Sequence, residues 1–438
     1  MPDSITISPV TSPVIGCVRP PGSKSITNRA LVCAALASGR STLTGTLDSD
    51  DTRVMVQCLR TLGIVLDGKL GDASLDVTGC DALLRCDHVD LFAANSGTTI
   101  RFLTAVAAAG HGNFRLDGVE RMRQRPIQDL VDGLVQLNVD IRCESGNGCP
   151  PVVVNAKGLD GGSLVVRGNV SSQYLSALLM VAPAATGPME IRIEGPLVSR
   201  PYVDMTCRVM QSFGVETERT DASHFRIEAP QTYQGCNYDI EPDASAASYF
   251  WAVAAVTGGE VTVEGLRRDS LQGDVRFCDC LEQMGCSIDY LENGITVRGG
   301  RERGSLRGIE VDMSDISDTV QTLAVVALHA DGPTTIRGVG HIRHKETDRI
   351  GDLATELRKL GAEVTELPDG LRIEPAAIKA AVIETYDDHR MAMSLALAGL
   401  RTPGVQILDP DCTAKTYPGY FIELAALLGQ NFDAWRAG

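Results

Sequence analysis

Residues 333–362, PTTIRGVGHIRHKETDRIGDLATELRKLGA, read as a short strand, a polar loop and an amphipathic helix that stops near a glycine. The same pattern returns at 40–64 (RSTLTGTLDSDDTRVMVQCLRTLGI), 112–139 (GNFRLDGVERMRQRPIQDLVDGLVQLNV), 188–215 (PMEIRIEGPLVSRPYVDMTCRVMQSFGV), 259–286 (GEVTVEGLRRDSLQGDVRFCDCLEQMGC) and 404–429 (GVQILDPDCTAKTYPGYFIELAALLG). These six copies, roughly 70–75 residues apart, form an internal repeat. Ahead of each lies a far more apolar segment: ITNRALVCAALASG, NSGTTIRFLTAVAAAG, SSQYLSALLMVAPAATG, DASAASYFWAVAAVTGG, SDTVQTLAVVALHADG and DDHRMAMSLALAGL. A helix apolar nearly all round is enclosed on every side, so these are expected to be buried. Between copies run hairpin-like stretches, CSIDYLENGITVRG and AEVTELPDGLRIEP, with turns expected at Asn293-Gly294 and Asp369-Gly370. The unit is therefore βαβαββ in an α/β protein. Six units predict two domains of three, with a break near TYQGCNYDIEPDASA at 232–246.

The 438 residues allow two or three domains with ample core. Lys and Arg number 40 against 56 Asp and Glu, a net charge of −16 that argues against general attraction to nucleic acid or an anionic membrane surface. Anionic ligands must then be held by local clusters. The start, MPDSITISPV, lacks a basic segment followed by an apolar core, and no stretch has the ~18 apolar residues of a spanning helix. A cytoplasmic protein is expected. Thirteen cysteines with no CxxC pair, among them Cys33, Cys58 and Cys207 in apolar surroundings, predict reduced and mostly buried thiols.

Each apolar helix opens on small or hydrogen-bonding residues: PGSKSITNR, NSGTTIR, NVSSQY, PDASAAS, DISDTVQ and YDDHRMA. Such residues cap helices anywhere, yet a helix N-terminus also offers orphan N–H groups and partial positive charge to an anion. Basic residues stand beside several of these ends: Lys24 and Arg29, Arg101, and His389-Arg390. Cations at the positive end of a buried helix repel unless an anion lies between them. Further basic residues precede the amphipathic helices: Arg121, Arg123 and Arg125; Arg343, Lys345 and Arg349; and Lys415. PGSKS is not a P-loop, since Ser23 separates Gly22 from Lys24. Cys278-x-Cys280 and the pair His341, His344 lack further ligands nearby, so no metal is expected.

PGSKSITNRALVCAALA, NSGTTIRFL, RMRQRPIQDLVDGL, SSQYLSALLM, LVSRPYVDMT, HKETDRIGDLATELRKLGAEV, DDHRMAMSLAL and DPDCTAKTYPGYF occur in order between about 20 and 422. Together they closely resemble the 5-enolpyruvylshikimate-3-phosphate synthases, enolpyruvyl transferases that join phosphoenolpyruvate to shikimate 3-phosphate. The resemblance implies a two-domain inverse α/β barrel of six βαβαββ units. Residues 1–20 and 242–438 would form one discontinuous domain and 21–241 the other, with the active site in the interdomain cleft. It implies no cofactor, a monomer, small-molecule substrates only, and inhibition by glyphosate. Catalytic roles fall to Asp318, as base at the 5-hydroxyl with Lys345 bearing on that site, and to Glu346 and Lys24, as candidates for proton transfer at the methylene carbon. Phosphoenolpyruvate contacts fall to Lys24, Gly97, Arg125, Gln173, Arg349, Arg390 and Lys415. Shikimate 3-phosphate contacts fall to Lys24, Ser25, Arg29, Ser171, Ser172, Gln173, Ser199, Tyr202, Asp318 and Lys345. Gly97 has a physical case of its own, because a side chain there would crowd an anion at the helix start. Phe102 stands where many relatives have Pro, a departure that bears on sensitivity to glyphosate, and His341 stands where Asn is common, so that position is not carried over. Two alternatives stand beside this reading. One is the related transferase acting on UDP-N-acetylglucosamine, disfavoured because Gly110 through Pro126 holds no Cys; the other is a non-catalytic repeat scaffold.

Overall fold

The computed structural model describes residues 4–169, 171–221, 223–300, 306–375 and 377–436. The chain divides into two compact units, Gly22–Glu241 and a discontinuous one of Met1–Pro21 with Pro242–Gly438.

Gly22–Glu241 holds three four-stranded sheets. One runs Arg85–Phe92, His111–Asp117, Val152–Lys157, Asp140–Cys143; another Gly162–Arg167, Met189–Glu194, His224–Ile227, Glu218–Asp221. In both the first pair is parallel and the rest antiparallel. A parallel pair needs a crossover, and the apolar helices Gly97–Ala109 and Ser172–Val181 supply it. The third sheet runs Asn237–Asp239, Arg40–Thr44, Leu75–Thr78, Val65–Asp67, so its leading strand comes from the far end of the unit.

The discontinuous unit repeats the scheme. Glu310–Asp312, Thr334–Arg337, Gly370–Glu374 and Glu363–Leu367 form one sheet; Ile15–Val18, Glu260–Glu264, Gly294–Arg298 and Ser287–Leu291 form a second. Again a leading strand, Ile15–Val18, is borrowed from a distant segment and pairs in parallel with Glu260–Glu264. The sixth unit departs from the expected βαβαββ. Among the described residues no hairpin follows Val405–Leu408, and Ser4–Thr6 lies antiparallel beside it instead, giving the three-stranded sheet Ala381–Ile383, Val405–Leu408, Ser4–Thr6.

Both expected hairpins form, but their two-residue loops fall one position early, at Glu292-Asn293 and Pro368-Asp369. Gly294 and Gly370 open the returning strands. At Gly370 a Cβ would overlap the carbonyl oxygen of Ile336 on the neighbouring strand, so glycine there serves close strand approach.

The apolar segments are indeed enclosed. Every residue of Gly97–Ala109, Ala244–Thr257, Val320–Ala327 and His389–Ala396 is buried, whereas Arg200–Ser212 buries one face only. Fully burying each Leu, Ile or Val of such a helix contributes about 1.5–3 kcal/mol, which outweighs the modest helix propensity of its β-branched residues. Hydroxyls tie the three buried helices of the discontinuous unit together. Ser248 Oγ lies 3.0 Å from Thr322 Oγ1, which lies 3.3 Å from Ser394 Oγ. All thirteen cysteines are free, but only six are buried; Cys207 is partly exposed and Cys17 lies at the surface.

Candidate active site

The starts of the three apolar helices within Gly22–Glu241, Lys24–Leu36, Gly97–Ala109 and Ser172–Val181, are capped by serines. Ser23, Ser96 and Ser171 accept from the backbone N–H groups of Ile26, Thr99 and Gln173 at 3.4, 3.4 and 3.3 Å. A cap satisfies one orphan N–H and leaves the helix's positive end intact.

Around these ends stand the expected cations. Arg29 is buried; its Nε donates to Thr206 Oγ1 (2.7 Å), Nη1 to the Ser25 carbonyl (2.8 Å), and Nη2 to Ser176 Oγ and the Tyr202 carbonyl (both 3.3 Å). Its guanidinium also lies 5.2 Å from the centre of the Phe102 ring. Burial lowers its pKa to about 10, against weaker opposing influences from Tyr202, Cys33, Cys207 and Tyr238. Arg101 donates to Gln173 Oε1 (2.7 Å) and to the Pro126 carbonyl (3.0 Å), so Gln173 is anchored at the start of the adjacent helix. Gln173 also donates to Thr98 Oγ1 at 3.3 Å. Arg125 donates to the Asn95 carbonyl at 3.1 Å. Lys24 Nζ lies 3.5 Å from Asp51 Oδ2. Ser199, buried at the start of Arg200–Ser212, holds a left-handed backbone (φ 53°), a conformation costing roughly 1–3 kcal/mol in a non-glycine residue. Ser172 is buried in the first turn of its helix, directly after the Ser171 cap.

Gly97 packs against these guanidiniums. A Cβ there would meet Arg125 Nη2 at 2.6 Å and Arg101 Nη1 at 2.7 Å. The crowding that demands glycine is thus with the cations lining the helix start, a contact the spacing of the sequence did not reveal. Of the three arginines in RMRQR, only Arg125 is buried. Arg121 donates to Gln124 (3.2 Å), and Arg123 pairs with Asp117 (2.7 Å).

The discontinuous unit gathers a second set. Asp318 lies in the 3-10 turn Ser317–Thr319, which carries no side-chain cap. It faces three cations: Lys345 (3.3 Å), Arg349 (3.4 Å) and Arg390 (2.8 Å). Glu346 meets Arg349 at 2.8 Å and Lys415 at 3.4 Å. Neither carboxylate behaves as an ordinary helix-start acid. Glu346 precedes the helix Gly351–Lys359 by five positions. Burial lowers the pKa of Lys345, and Asp318 works against that shift. For Arg349, burial disfavours the charge, but Asp388 and Glu346 outweigh it and raise its pKa above the usual range. Arg343 points elsewhere, to Asp348 at 2.7 Å.

Asp388 has a role that sequence reading missed. Fully buried, it caps His389–Ala396 by accepting from the Arg390 N–H (2.9 Å), and it grips Arg349 at two points, 2.7 Å and 3.0 Å. The signal was an acid directly before His-Arg at a helix start. Tyr249 is the other omission: its hydroxyl accepts from Arg390 Nη1 at 3.4 Å, and burial raises its pKa to about 12. Among the described residues no group of three or more His, Cys, Asp or Glu side chains is placed to hold a metal ion, and no helix is long and apolar enough to cross a membrane.

One set thus offers buried arginines, a lysine and helix N-termini to anions; the other sets two carboxylates among four cations, an arrangement suited to moving protons beside phosphate or carboxylate groups. The family model described as EPSP synthase (3-phosphoshikimate 1-carboxyvinyltransferase) matches residues 10–424. The chain is 49% identical over 428 residues to the 3-phosphoshikimate 1-carboxyvinyltransferase of Trichormus variabilis, covering 98% of this chain and 100% of that one. It is 46% identical to the chloroplastic enzyme of Brassica napus, over 97% of this chain and 85% of that protein. Among solved structures, EPSP synthase from Acinetobacter baumannii aligns with a TM-score of 0.82 at 25% identity, covering 98% of both chains. By full-length sequence and by fold, the chain belongs to the EPSP synthase family.

Proposed function

We propose that the two residue sets together serve the family's reaction, transfer of the enolpyruvyl group of phosphoenolpyruvate to the 5-hydroxyl of shikimate 3-phosphate with release of phosphate. Asp318 takes the proton of the 5-hydroxyl as its oxygen attacks the central carbon of the enol. Glu346 or Lys24 delivers a proton to the methylene carbon, giving a tetrahedral ketal. The carbon–oxygen bond to phosphate then breaks, and the same position loses a proton to restore the double bond. Arg349, Arg390, Lys415, Arg125, Gln173, Lys24 and Gly97 hold phosphoenolpyruvate. Lys24, Ser25, Arg29, Ser171, Ser172, Gln173, Ser199, Tyr202, Asp318 and Lys345 hold shikimate 3-phosphate.

The observation that carries this reading is Asp318 set among Lys345, Arg349 and Arg390, beside Glu346 on Arg349 and Lys415. Addition and elimination need a base and a second proton carrier, and both substrates bring a phosphate and a carboxylate to be neutralised. A bound phosphate would compete with Glu346 for Lys415 and Arg349, freeing that carboxylate as charge moves to the leaving group.

The test is inorganic phosphate released by the purified protein from both substrates together. Release is expected, and Lys24→Ala and Asp318→Asn are each expected to cut it by about 10²–10⁴-fold, the usual worth of a positioned proton carrier. Release only with a nucleotide sugar, or none with either acceptor, overturns the reading. The same proposal extends to a cytoplasmic monomer inhibited by glyphosate, which gel filtration and an inhibition curve check.

A further inference from the structure

We infer that His341 is a positioning residue, bolting together the two short turns that carry Asp318 and the Lys345-Glu346 pair. The inference rests on the roles just proposed for those residues and adds the device that keeps them in register. Asp318 sits in Ser317–Thr319, and Lys345 and Glu346 directly follow the 3-10 turn Gly340–His344. Turns of three and five residues have too few internal hydrogen bonds to be rigid alone. Side chains link them, among them the ion pair Lys345–Asp318 at 3.3 Å and the hydrogen bond between His341 Nε2 and Ser317 Oγ at 3.1 Å.

The links differ in how they respond to the reaction. When Asp318 accepts a proton its charge vanishes and its attraction for Lys345 weakens. The His341–Ser317 bond joins two neutral groups and keeps its strength, so spacing between the turns survives the proton transfer. Burial, aided by Lys345 and His344 and opposed by Asp318, lowers the His341 pKa to about 4, and the ring therefore stays neutral under working conditions. Ser317 is completely buried, which makes the bond worth more than one at the surface.

The experiment is a double-mutant cycle of His341→Phe and Ser317→Ala, with His341→Gln as the conservative variant, read as kcat, KM for shikimate 3-phosphate, and the unfolding constant in urea. Each single change is expected to lower kcat about 10-fold, the worth of one buried hydrogen bond, and the double change by no more than either alone. His341→Gln is expected to recover most of the loss, and KM to stay within about 2-fold. Unfolding constants should show the same non-additivity. Multiplying losses, an unchanged kcat in His341→Phe, or an effect confined to KM overturns the inference, the last because it marks direct contact with substrate. The unfolding cycle does not depend on turnover. If the unsubstituted protein released no phosphate, the proposed function would fall, while additive unfolding effects would separately refute the bolt.

Discussion

Replacing Gly97 with alanine would put a methyl carbon 2.6 Å from Nη2 of Arg125 and 2.7 Å from Nη1 of Arg101. Ordinary contact begins near 3.4 Å, so both guanidiniums must retreat by about 0.7–0.8 Å. The same Nη1 of Arg101 donates to Gln173 at 2.7 Å, and Arg125 donates to Asn95 at 3.1 Å; moves of that size take such bonds beyond useful length. Losing or misaiming one charge-assisted hydrogen bond costs about 1.5–3 kcal/mol, which is roughly 10–100-fold in affinity for an anion held there. At the first position of Gly97–Ala109 alanine gains only part of the roughly 1 kcal/mol it holds over glycine in a helix interior, which offsets part of the strain in the folded protein. The expected signature is therefore graded: KM for phosphoenolpyruvate and the inhibition constant for glyphosate rise 10-fold or more, KM for shikimate 3-phosphate rises less, through the loosened Gln173, and the urea midpoint moves little. Steady-state kinetics with each substrate varied in turn supply the check. Unchanged affinity for both phosphoenolpyruvate and glyphosate would refute the steric argument.

Asp388→Asn keeps the helix cap but removes the charge that faces Arg349, which is only 1% exposed. Breaking a buried pair from one side costs about 3–5 kcal/mol, and since Glu346 and Asp318 remain, the lower end is expected in urea unfolding; a loss below about 1 kcal/mol would contradict it. Acid should also weaken the fold. Burial lowers the pKa of His329 and of His341 from 6.5 to about 4, so below pH 6.5 the unfolded chain takes up protons that the folded chain refuses. Stability is then level above that pH and falls between 6.5 and 4, by at most about 2 kcal/mol per histidine at pH 5. Urea midpoints from pH 8 to 5 measure the slope, and His329→Gln should flatten it.

The repeat was legible because its signal is local. All-round apolar helices and hairpin turns are written in contiguous residues, and burial of Gly97–Ala109 or Ala244–Thr257 follows from their composition. What escaped depends on partners distant in sequence. Asp318 and Asp388 both stand at helix starts, yet only Asp388 caps, and it also grips Arg349; which of these an acid does is decided by the cations another element brings near. Arg121, Arg123 and Arg125 look alike in the sequence, and only burial separates the third from its neighbours. The incomplete sixth unit was hidden for the same reason. Its third strand comes from the other end of the chain.

That borrowed strand, with Ile15–Val18, sets an order of events during synthesis. Residues 22–241 contain every strand of their own three sheets and can finish folding while the rest of the polypeptide is still being made. Ser4–Thr6 and Ile15–Val18 leave the ribosome long before their partners and must wait. Ile15–Val18 finds its neighbour only when Glu260–Glu264 emerges, and Ser4–Thr6 only when Val405–Leu408 does. Pairings so remote in sequence close late and slowly, so truncating the first twenty residues should leave the middle of the molecule able to fold and strip an edge from two sheets of the remainder.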